Sequence, residues 1–251
     1  MSATSRRKWG KMAAVIEVIG FDADDTLWHS EMLYLRVQQE FQALLAPYCG
    51  DDGVLDELYE TEMGNLPYYG YGIKGFTLSM IETAIRITGG EIGAQKIQQI
   101  IELAKEMRRA PVDLLPHVAE VVPALSESYR LILITKGDLF DQEAKIANSG
   151  LAACFDHVEI VTDKTPDVYR RLLAKHRIDP HCFLMVGDSL RSDISPVVSL
   201  GACAVHIPYP ITWAHEAAPV QGDEASGYVE LEHVGLLPDF IGGLGRSGTG
   251  D

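Results

Sequence analysis

The sequence predicts an α/β protein whose parallel sheet is interrupted, directly after the first strand, by an all-helical insertion. Two observations lead to this prediction. From residue 113 onward, short apolar segments of strand character alternate with helical segments, which is typical of βαβ units. From residue 30 to 112, apolar residues recur with helical spacing and no strand pattern is convincing.

Each element of the α/β part follows from its apolar pattern. The first strand, 15–21, is β-branched and apolar and ends at Asp22. Four more strands are predicted at 131–134, 158–161, 182–186 and 202–207. The helices between them are predicted at 118–128, 141–149, 166–176 and 194–200.

The insertion carries an apolar stripe on its first helix. The residues of this stripe are Leu33, Val37, Phe41, Leu44 and Leu45. Later helices are predicted at 77–87 and 94–107, and the Gly- and Tyr-rich segment 64–75 is predicted to connect two helices. The stripes are expected to form the insertion's own core.

This pattern divides the chain. We expect one domain built from residues 15–29 and 113–240, interrupted by the helical insertion at 30–112. Residues 1–14 are expected to be a disordered leader, and residues 241–251 a flexible tail rich in Gly.

Composition and net charge argue against some classes of function. The 251 residues are 47% hydrophobic and 23% charged, which is ordinary for a folded protein, and the net charge is −15. An acidic chain is a poor general nucleic-acid binder, and no apolar run reaches the roughly 20 residues of a membrane span. The four cysteines form no C-x-x-C pair, so free thiols and a cytoplasmic location are expected.

Polar residues follow the predicted strands. In an open parallel sheet, ligands bind beyond the carboxyl ends of the strands, so these residues indicate the site. In strand order they are Asp22 and Asp24; Thr135, Lys136 and Gly137; Lys164; and Asp188 with Asp193.

The carboxylates of this set favour phosphoryl chemistry with a divalent cation. Carboxylates at one edge repel each other, and Mg²⁺ prefers oxygen ligands, so Asp22, Asp188 and Asp193 are candidate Mg²⁺ ligands. A carboxylate can also attack phosphorus, and Asp22 is the candidate nucleophile. Asp24 lies close enough to protonate the leaving oxygen and later activate water.

The remaining polar residues suit the phosphoryl group. Lys164 would screen repulsion between Asp22 and the phosphate. The Thr135 hydroxyl and the following backbone N–H groups, those of Lys136 and Gly137, would hold a phosphoryl oxygen. Two further acids are expected to be helix-capping or solvated residues instead: Asp25 and Asp138.

The set resembles the four motifs of the haloacid dehalogenase-like (HAD) hydrolase superfamily. The matches are Asp22, Asp24 and Thr26 for D-x-D-x-[TV]; Thr135 for the Ser/Thr that ends the next strand; Lys164 for the Lys before a helix; and Gly187, Asp188 and Asp193 for G-D-x-x-x-x-D. The resemblance covers about residues 15–208. It implies a Rossmann-like core and an inserted helical cap of the C1 type.

The resemblance also implies roles. Asp22 would be the nucleophile and a Mg²⁺ ligand. Asp24 would bind Mg²⁺ through its backbone carbonyl and act as acid and base through its side chain. Thr135 and Lys164 would bind the phosphoryl group, and an Asp of the fourth motif would hold Mg²⁺. True dehalogenases of this superfamily lack the second Asp and need no metal, so Asp24 favours phosphoryl chemistry over C–halogen cleavage.

Two departures from the family pattern concern local geometry. Thr165 separates Lys164 from Pro166, where many relatives have Lys-Pro. His117 stands where relatives often carry Gly, so the family pattern does not predict the backbone geometry at the hinge of the cap.

The segment 65–76 of the insertion has two interpretations. Its tyrosines can pack under the cap, or they can form a mobile lid with Tyr71 and Lys74 as substrate contacts. The histidines His29, His206 and His215 are interpreted as structural.

Together these features predict a Mg²⁺-dependent phosphatase that hydrolyses a small soluble phosphomonoester through an aspartyl-phosphate. The alternatives are a phosphomutase and a non-catalytic binding protein of the same fold. The expected partner is a small phosphorylated metabolite, with no nucleic acid and no membrane, and the expected state is a monomer or homodimer.

Overall fold

The computed structural model describes residues 16–49, 53–211, 213, 215–216 and 227–246. Its strands are β1 Val18–Phe21, β2 Arg130–Lys136, β3 His157–Val161, β4 Phe183–Gly187, β5 Cys203–His206 and β6 Tyr228–Glu230. They form one parallel six-stranded sheet in the order β3-β2-β1-β4-β5-β6. The predicted α/β fold with a parallel sheet is confirmed.

Nine α-helices lie within the described residues. Those of the insertion are α1 Glu31–Cys49, α2 Val54–Tyr69, α3 Ile73–Ile87 and α4 Ala94–Arg109. Those of the α/β part are α5 Val118–Ser126, α6 Leu139–Asn148, α7 Pro166–Lys175, α8 Ser195–Val198 and α9 Leu237–Arg246. A π-helical turn, Leu190–Ile194, follows β4. None of these helices has the length and apolarity needed to cross a bilayer.

The four inner strands of the sheet, β1, β2, β4 and β5, are buried on both faces, which explains their nearly continuous apolar sequences. In β1, Ile19 and Phe21 belong to the apolar cluster on one face and Val18 to the cluster on the other. Strands buried in this way hold their carboxyl ends at fixed positions, and those ends carry the motif residues.

The insertion has a separate apolar core. Val37, Phe41 and Leu45 are buried in it, and Leu33 and Leu44 pack against it, as the stripe on the first helix predicts. Residues from all four helices of the insertion contribute to this cluster.

The segment 64–75 is mostly helical, so its prediction as a connecting segment was wrong. Helix α2 continues to Tyr69 and α3 begins at Ile73, leaving only three residues between them. Gly70 and Gly72 make this tight turn with positive φ angles of 68° and 106°. Composition alone suggested a loop because it does not reveal how few of these residues the turn needs.

Two further differences lie near the C-terminus. Strand β6 was not predicted, since three residues give too little alternation to detect. Residues 241–246, predicted as flexible tail, belong to α9, whose Leu237 and Ile241 are buried. The predicted leader, 1–14, and residues 247–251 lie outside the described residues.

The Gly20→Ala substitution tests the packing beneath β1. A Cβ at this position would lie 2.5 Å from Cζ of Phe183, and this ring is fully buried. We expect the free energy of unfolding to fall by about 1–3 kcal/mol, measured by urea denaturation. The control is Gly64→Ala in α2, where nothing lies within 4 Å and unfolding free energy should hold or rise. Equal effects of both changes would contradict the packing argument.

Candidate active site

Three neighbouring strands bring the motif residues to one edge of the sheet. Because β1 lies between β2 and β4, Asp22 after β1 is flanked by Thr135 in β2 and Asp188 after β4. These three residues line one cavity of about 170 Å³, together with Lys164 and Asp193. The motif residues therefore converge on a single concave site.

Lys164 is the buried cation of this site. Its Nζ donates to Oδ1 of Asp22 and lies 2.6 Å from Oδ1 of Asp193. Burial lowers the pKa of Lys164, but the two carboxylates, Asp193 before Asp22, outweigh burial and raise it well above its usual range. The ammonium is therefore a fixed positive charge beside Asp22.

A helix start fixes the position of Lys164. Thr165 accepts the backbone N–H of Val168 at 3.3 Å, and Pro166 occupies the first position of α7. The Thr that separates Lys164 from Pro166 is thus the N-cap of α7. This departure from the family pattern preserves the placement of the lysine.

Three carboxylates form a group that fits a divalent cation. One oxygen each of Asp22, Asp188 and Asp193 lies within 4.8 Å of the others. Burial raises the pKa of Asp22 to about 6 against the opposing effect of Lys164, with Asp193 adding to the rise. Burial, then Asp22 and Asp193, raise the pKa of Asp188 well above its usual range. The raised pKa values of Asp22 and Asp188 mean that nearby positive charge is too small to stabilise both ionised carboxylates. A hard cation that prefers oxygen ligands would supply the missing positive charge.

Asp193 is more fully engaged with protein groups than the other two. Its Oδ1 accepts from Lys164 and its Oδ2 accepts the Ser189 N–H at 3.1 Å. A Cβ at Gly187 would lie 2.3 Å from this Oδ2, so glycine is required for the close approach. The side chain of Asp188, in contrast, has one hydrogen-bond partner within the described ranges, the Thr26 hydroxyl at 3.3 Å. Asp22 and Asp188 therefore fit a direct cation site best, with Asp193 anchoring the lysine.

Asp24 points to a different group of partners. Its carboxylate accepts from Nε1 of Trp28 at 2.7 Å, from Nε2 of Gln142 at 2.7 Å and from Nζ of Lys145 at 3.0 Å. Burial raises the pKa of Asp24, but Lys145 and these hydrogen bonds outweigh burial and hold it below its usual range. The two acids of the first motif thus have separate lysines, Lys164 for Asp22 and Lys145 for Asp24.

The acids Asp25 and Asp138 are helix caps. Asp25 accepts the N–H groups of Ser30 and Glu31 at the start of α1, at 2.9 and 3.0 Å, and is buried, so the alternative of a solvated residue was wrong. Asp138 accepts the N–H of Asp141 at the start of α6.

The residues that follow Thr135 are engaged by neighbours within the protein. Nζ of Lys136 pairs with Glu216 and lies 3.0 Å from Oγ of Ser192. Burial raises the pKa of Glu216, but Lys136 and hydrogen bonds outweigh burial and lower it to about 2. The N–H of Gly137 donates to the Val161 carbonyl at 3.3 Å, so this amide already has an acceptor. Among these three candidates, the Thr135 hydroxyl is the group best placed for a ligand.

The two candidate residues of the insertion lie in different places. Tyr71 lines the cavity, with its hydroxyl 3.1 Å from Nε2 of His215 and its ring 4.4 Å from Nζ of Lys136. Lys74 does not line the cavity, and its exposed Nζ pairs with Asp138 at 3.0 Å. Only Tyr71 is positioned to contact a ligand.

The other histidines have protein partners. Nδ1 of His29 lies 2.6 Å from the Tyr209 hydroxyl, and Nε2 of His206 lies 2.9 Å from the Asp188 carbonyl oxygen. His117 has a φ of 70°. The backbone at His117 therefore has a conformation that a glycine at this position would adopt without strain.

Sequence reasoning missed three residues beside the motifs. Gln142 and Lys145 are three positions apart on α6, so they share one face of the helix, but nothing in the sequence links that face to Asp24. Glu216 lies after β5 and outside any motif, and nothing in the sequence pairs it with Lys136.

Comparison with known proteins gives a family match that covers the motif residues of this site. The haloacid dehalogenase-like hydrolase family matches residues 16–201, which include all four motifs. The search of curated proteins found no match.

Solved structures give the same result for the fold. A haloacid dehalogenase-like family hydrolase from Xanthomonas campestris is 38% identical, with a TM-score of 0.83, over 94% of this chain and all of that chain. A 2-haloacid dehalogenase from Pseudomonas syringae pv. Tomato DC3000 is 19% identical, with a TM-score of 0.60, over 91% of this chain and 99% of that one. A protein described as a predicted phosphoglycolate phosphatase from Haemophilus somnus 129pt is 18% identical, with a TM-score of 0.58, over 90% and 97% of the two chains.

The last two structures share only the fold with this chain, and they include both a dehalogenase and a protein described as a phosphatase. The family match spans most of the chain, and the Xanthomonas relative covers nearly all of it. On that evidence, the chain belongs to the haloacid dehalogenase-like hydrolase family.

Proposed function

We propose that this hydrolase is a Mg²⁺-dependent phosphatase acting on a small soluble phosphomonoester. The observation that carries the proposal is the presence of two acids with separate environments, Asp22 beside Lys164 and Asp24 beside Lys145. Phosphoryl transfer through a covalent intermediate needs both a carboxylate nucleophile and a second acid that exchanges protons. Cleavage of a C–halogen bond needs no proton for the leaving halide, so it gives Asp24 no role.

In the proposed reaction, Asp22 attacks phosphorus in line with the leaving oxygen. A bond forms between its carboxylate oxygen and phosphorus while the bond to the leaving alcohol breaks. Lys164 holds Asp22 in position and offsets the negative charge of the incoming phosphate. The Thr135 hydroxyl lies beside this position and can donate to a phosphoryl oxygen.

In the proposed reaction, Asp24 acts as the general acid and then as the general base. It donates a proton to the leaving alcohol, and then accepts one from the water that hydrolyses the aspartyl-phosphate. Because Lys145 and hydrogen bonds outweigh burial and hold the pKa of Asp24 low, the proposed reaction requires those contacts to loosen when substrate binds. Trp28 and Gln142 hold its carboxylate away from Asp22 while Lys145 balances its charge. The acid and the nucleophile therefore do not compete for one lysine.

Mg²⁺ is the cation that this donor set suits, because it takes oxygen ligands and is commonly held by one or two carboxylates plus a substrate phosphate. Asp22 and Asp188 would hold it, with the Asp24 carbonyl as the family pattern implies. It would neutralise charge on the phosphoryl oxygens during transfer. A cytoplasmic location is part of this proposal and fits the four free cysteines.

The Asp22→Asn substitution tests the nucleophile. Asparagine keeps the shape but loses the attacking oxygen, so phosphate release should fall by at least about a thousandfold. Release is measured on a panel of phosphomonoesters and a generic aryl phosphate, with Mg²⁺ and with EDTA. Asp167→Asn is the matched control, since Asp167 is 77% exposed on α7 and outside the site.

Each other outcome of this assay has a definite meaning. Retained activity in a folded Asp22→Asn protein rules out Asp22 as nucleophile. A wild-type protein that isomerises sugar phosphates with little free phosphate is a phosphomutase. Failure of the Mg²⁺-loaded wild type on every ester favours a non-catalytic binding protein.

The Asp24→Asn substitution separates the proton steps from binding. We expect the rate with alkyl phosphates, whose leaving alcohols need a proton, to fall by about 10²- to 10⁴-fold. The initial burst with a good aryl leaving group should fall much less, because that group leaves without protonation. Pre-steady-state release of the aryl alcohol measures this difference. An unchanged rate with alkyl phosphates would remove the acid/base role.

The carboxylate group also predicts a pH-dependent effect of Mg²⁺ on stability. Because the pKa of Asp22 is raised to about 6, the metal-free protein keeps a proton there below pH 6, and Mg²⁺ must displace it. The thermal stabilisation by Mg²⁺ should therefore be larger at pH 8 than at pH 5.5. At a hundredfold excess over Kd it corresponds to about 2.7 kcal/mol.

Melting temperatures with Mg²⁺ and with EDTA at both pH values measure this effect. Asp188→Asn removes a ligand and should lose most of the gain at pH 8. A gain that is equal at both pH values, or that survives in Asp188→Asn, is incompatible with the site.

A further inference from the structure

The cavity contains far more acceptors than cations. Among its described lining residues, nine are Asp or Glu and two are Lys. Both lysines are already engaged, Lys164 by Asp22 and Asp193, and Lys136 by Glu216. The phosphate end of a substrate and Mg²⁺ account for the acids at the strand ends. They do not account for the acids contributed by the insertion.

Two of those acids, Glu31 in α1 and Glu62 in α2, have no positive partner. Within the described part of the chain, neither carboxylate forms an ion pair or a side-chain hydrogen bond, although both line the cavity. Burial, with Glu31 adding to it, raises the pKa of Glu62 to about 8. Burial, then Asp25 and Asp24, raise the pKa of Glu31 to about 7. Both carboxylates line the same cavity, and a positive charge bound there would stabilise their ionised forms.

Two aromatic rings of the insertion line the same cavity as these carboxylates. Tyr34 and Phe76 line the same cavity, with ring centroids 5.1 Å apart in an edge-to-face arrangement. Burial raises the pKa of Tyr34 well above its usual range, and Glu31 and Glu62 are among the charges that add to the rise. Aromatic faces and carboxylates both attract organic cations, so this wall suits an ammonium group.

An unpartnered buried acceptor gives independent support. Gln142 is 3% exposed and lines the cavity, and its buried Oε1 has no hydrogen-bond donor among the residues that the structure describes. Its Nε2 donates to Asp24 and to the Lys136 carbonyl, which fixes the orientation of the amide. The free acceptor therefore lies next to the residue assigned to the leaving oxygen. A buried acceptor without a donor is costly, and a donor on the ligand would satisfy it.

We propose that the leaving group of the substrate carries a protonated amine, bound by Glu31 and Glu62 against Tyr34 and Phe76. The substrate class is then aminoalkyl phosphates or amino-sugar phosphates. This inference rests on the proposed phosphatase function and assigns the substrate of the same site. The phosphate lies at the Lys164 end and the ammonium at the insertion end, so the charge distribution sets the orientation of the substrate. Phosphoesters with a carboxylate in the leaving group would be repelled from this wall.

The test compares matched substrates that differ only in the amine. The pairs are 2-aminoethyl phosphate with 2-hydroxyethyl phosphate, and glucosamine 6-phosphate with glucose 6-phosphate. We expect kcat/KM for the amine to exceed that for the alcohol by at least about tenfold in one pair, the magnitude of a charge-assisted hydrogen bond. Assays use the full chain with Mg²⁺ at pH 7.5.

Two variants assign the preference to the carboxylates. Glu62→Gln and Glu31→Gln keep the side-chain shape but remove the charge, and each should reduce the amine-to-alcohol ratio by about tenfold. Glu60→Gln is the matched control, the same change at an exposed position of α2 outside the cavity, and it should keep the wild-type ratio. Two variants are used so that misfolding of one leaves the other informative.

The outcomes separate this inference from the proposed function. A wild-type enzyme that hydrolyses a generic aryl phosphate with Mg²⁺ but shows an amine-to-alcohol ratio near one overturns the amine proposal and leaves the phosphatase standing. A ratio in favour of the alcohol overturns it as well, and indicates that protonated carboxyls bind hydroxyl groups. A preference for the amine that survives in both glutamine variants overturns the assignment to Glu31 and Glu62. Failure on every ester, aryl phosphate included, overturns the phosphatase itself.

Discussion

The buried ammonium of Lys164, shared by Asp22 and Asp193, is the interaction on which the rest of the site depends. Burying one cation between two anions leaves a negative excess, and the cost of burial is offset only if every member has close partners. The fold supplies them through adjacent strand ends, a helix capped directly after the lysine, and a glycine that admits Asp193. The negative charge that remains, on Asp22 and Asp188, is what makes this edge a site for a cation.

Ion pairs with different lysines also separate the two acids of the first motif. Asp22 and Asp24 are two residues apart, yet each has its own lysine, from α6 for Asp24 and from the start of α7 for Asp22. Burial raises the pKa of Asp22 and Asp24 still adds to the rise, so the two titrations are not independent, whereas Lys145 and hydrogen bonds outweigh burial and hold the pKa of Asp24 low. Separate lysines therefore place two carboxylates close together without making them compete for one cation.

The sequence predicted those parts of the molecule that depend on local pattern. Apolar strands end at fixed polar residues, so the convergence of Asp22, Thr135 and Asp188 could be foreseen from topology. Contacts between distant segments could not, since nothing local links Glu216 to Lys136 or Lys145 to Asp24. The length of the turn at 70–72 could not be predicted for another reason. Glycine allows a sharp turn within three residues, and a Gly-rich composition does not indicate how many of the residues belong to the turn. The apolar pattern of the sequence locates the ends of the strands, whereas the ion-pair partners of a charged side chain depend on tertiary packing.

The two parts of the cavity wall have different origins and different charges. The α/β part contributes both lysines, of which Lys164 pairs with Asp22 and Asp193 and Lys136 pairs with Glu216. The insertion contributes Glu31 and Glu62, which have no such ties within the described residues, and a separate apolar core holds their helices. Because the insertion's carboxylates do not help to hold the reacting groups, their replacement need not disturb the chemistry. Under the proposed function, substitutions in the insertion can therefore change which leaving group is bound while the residues at the sheet edge stay the same.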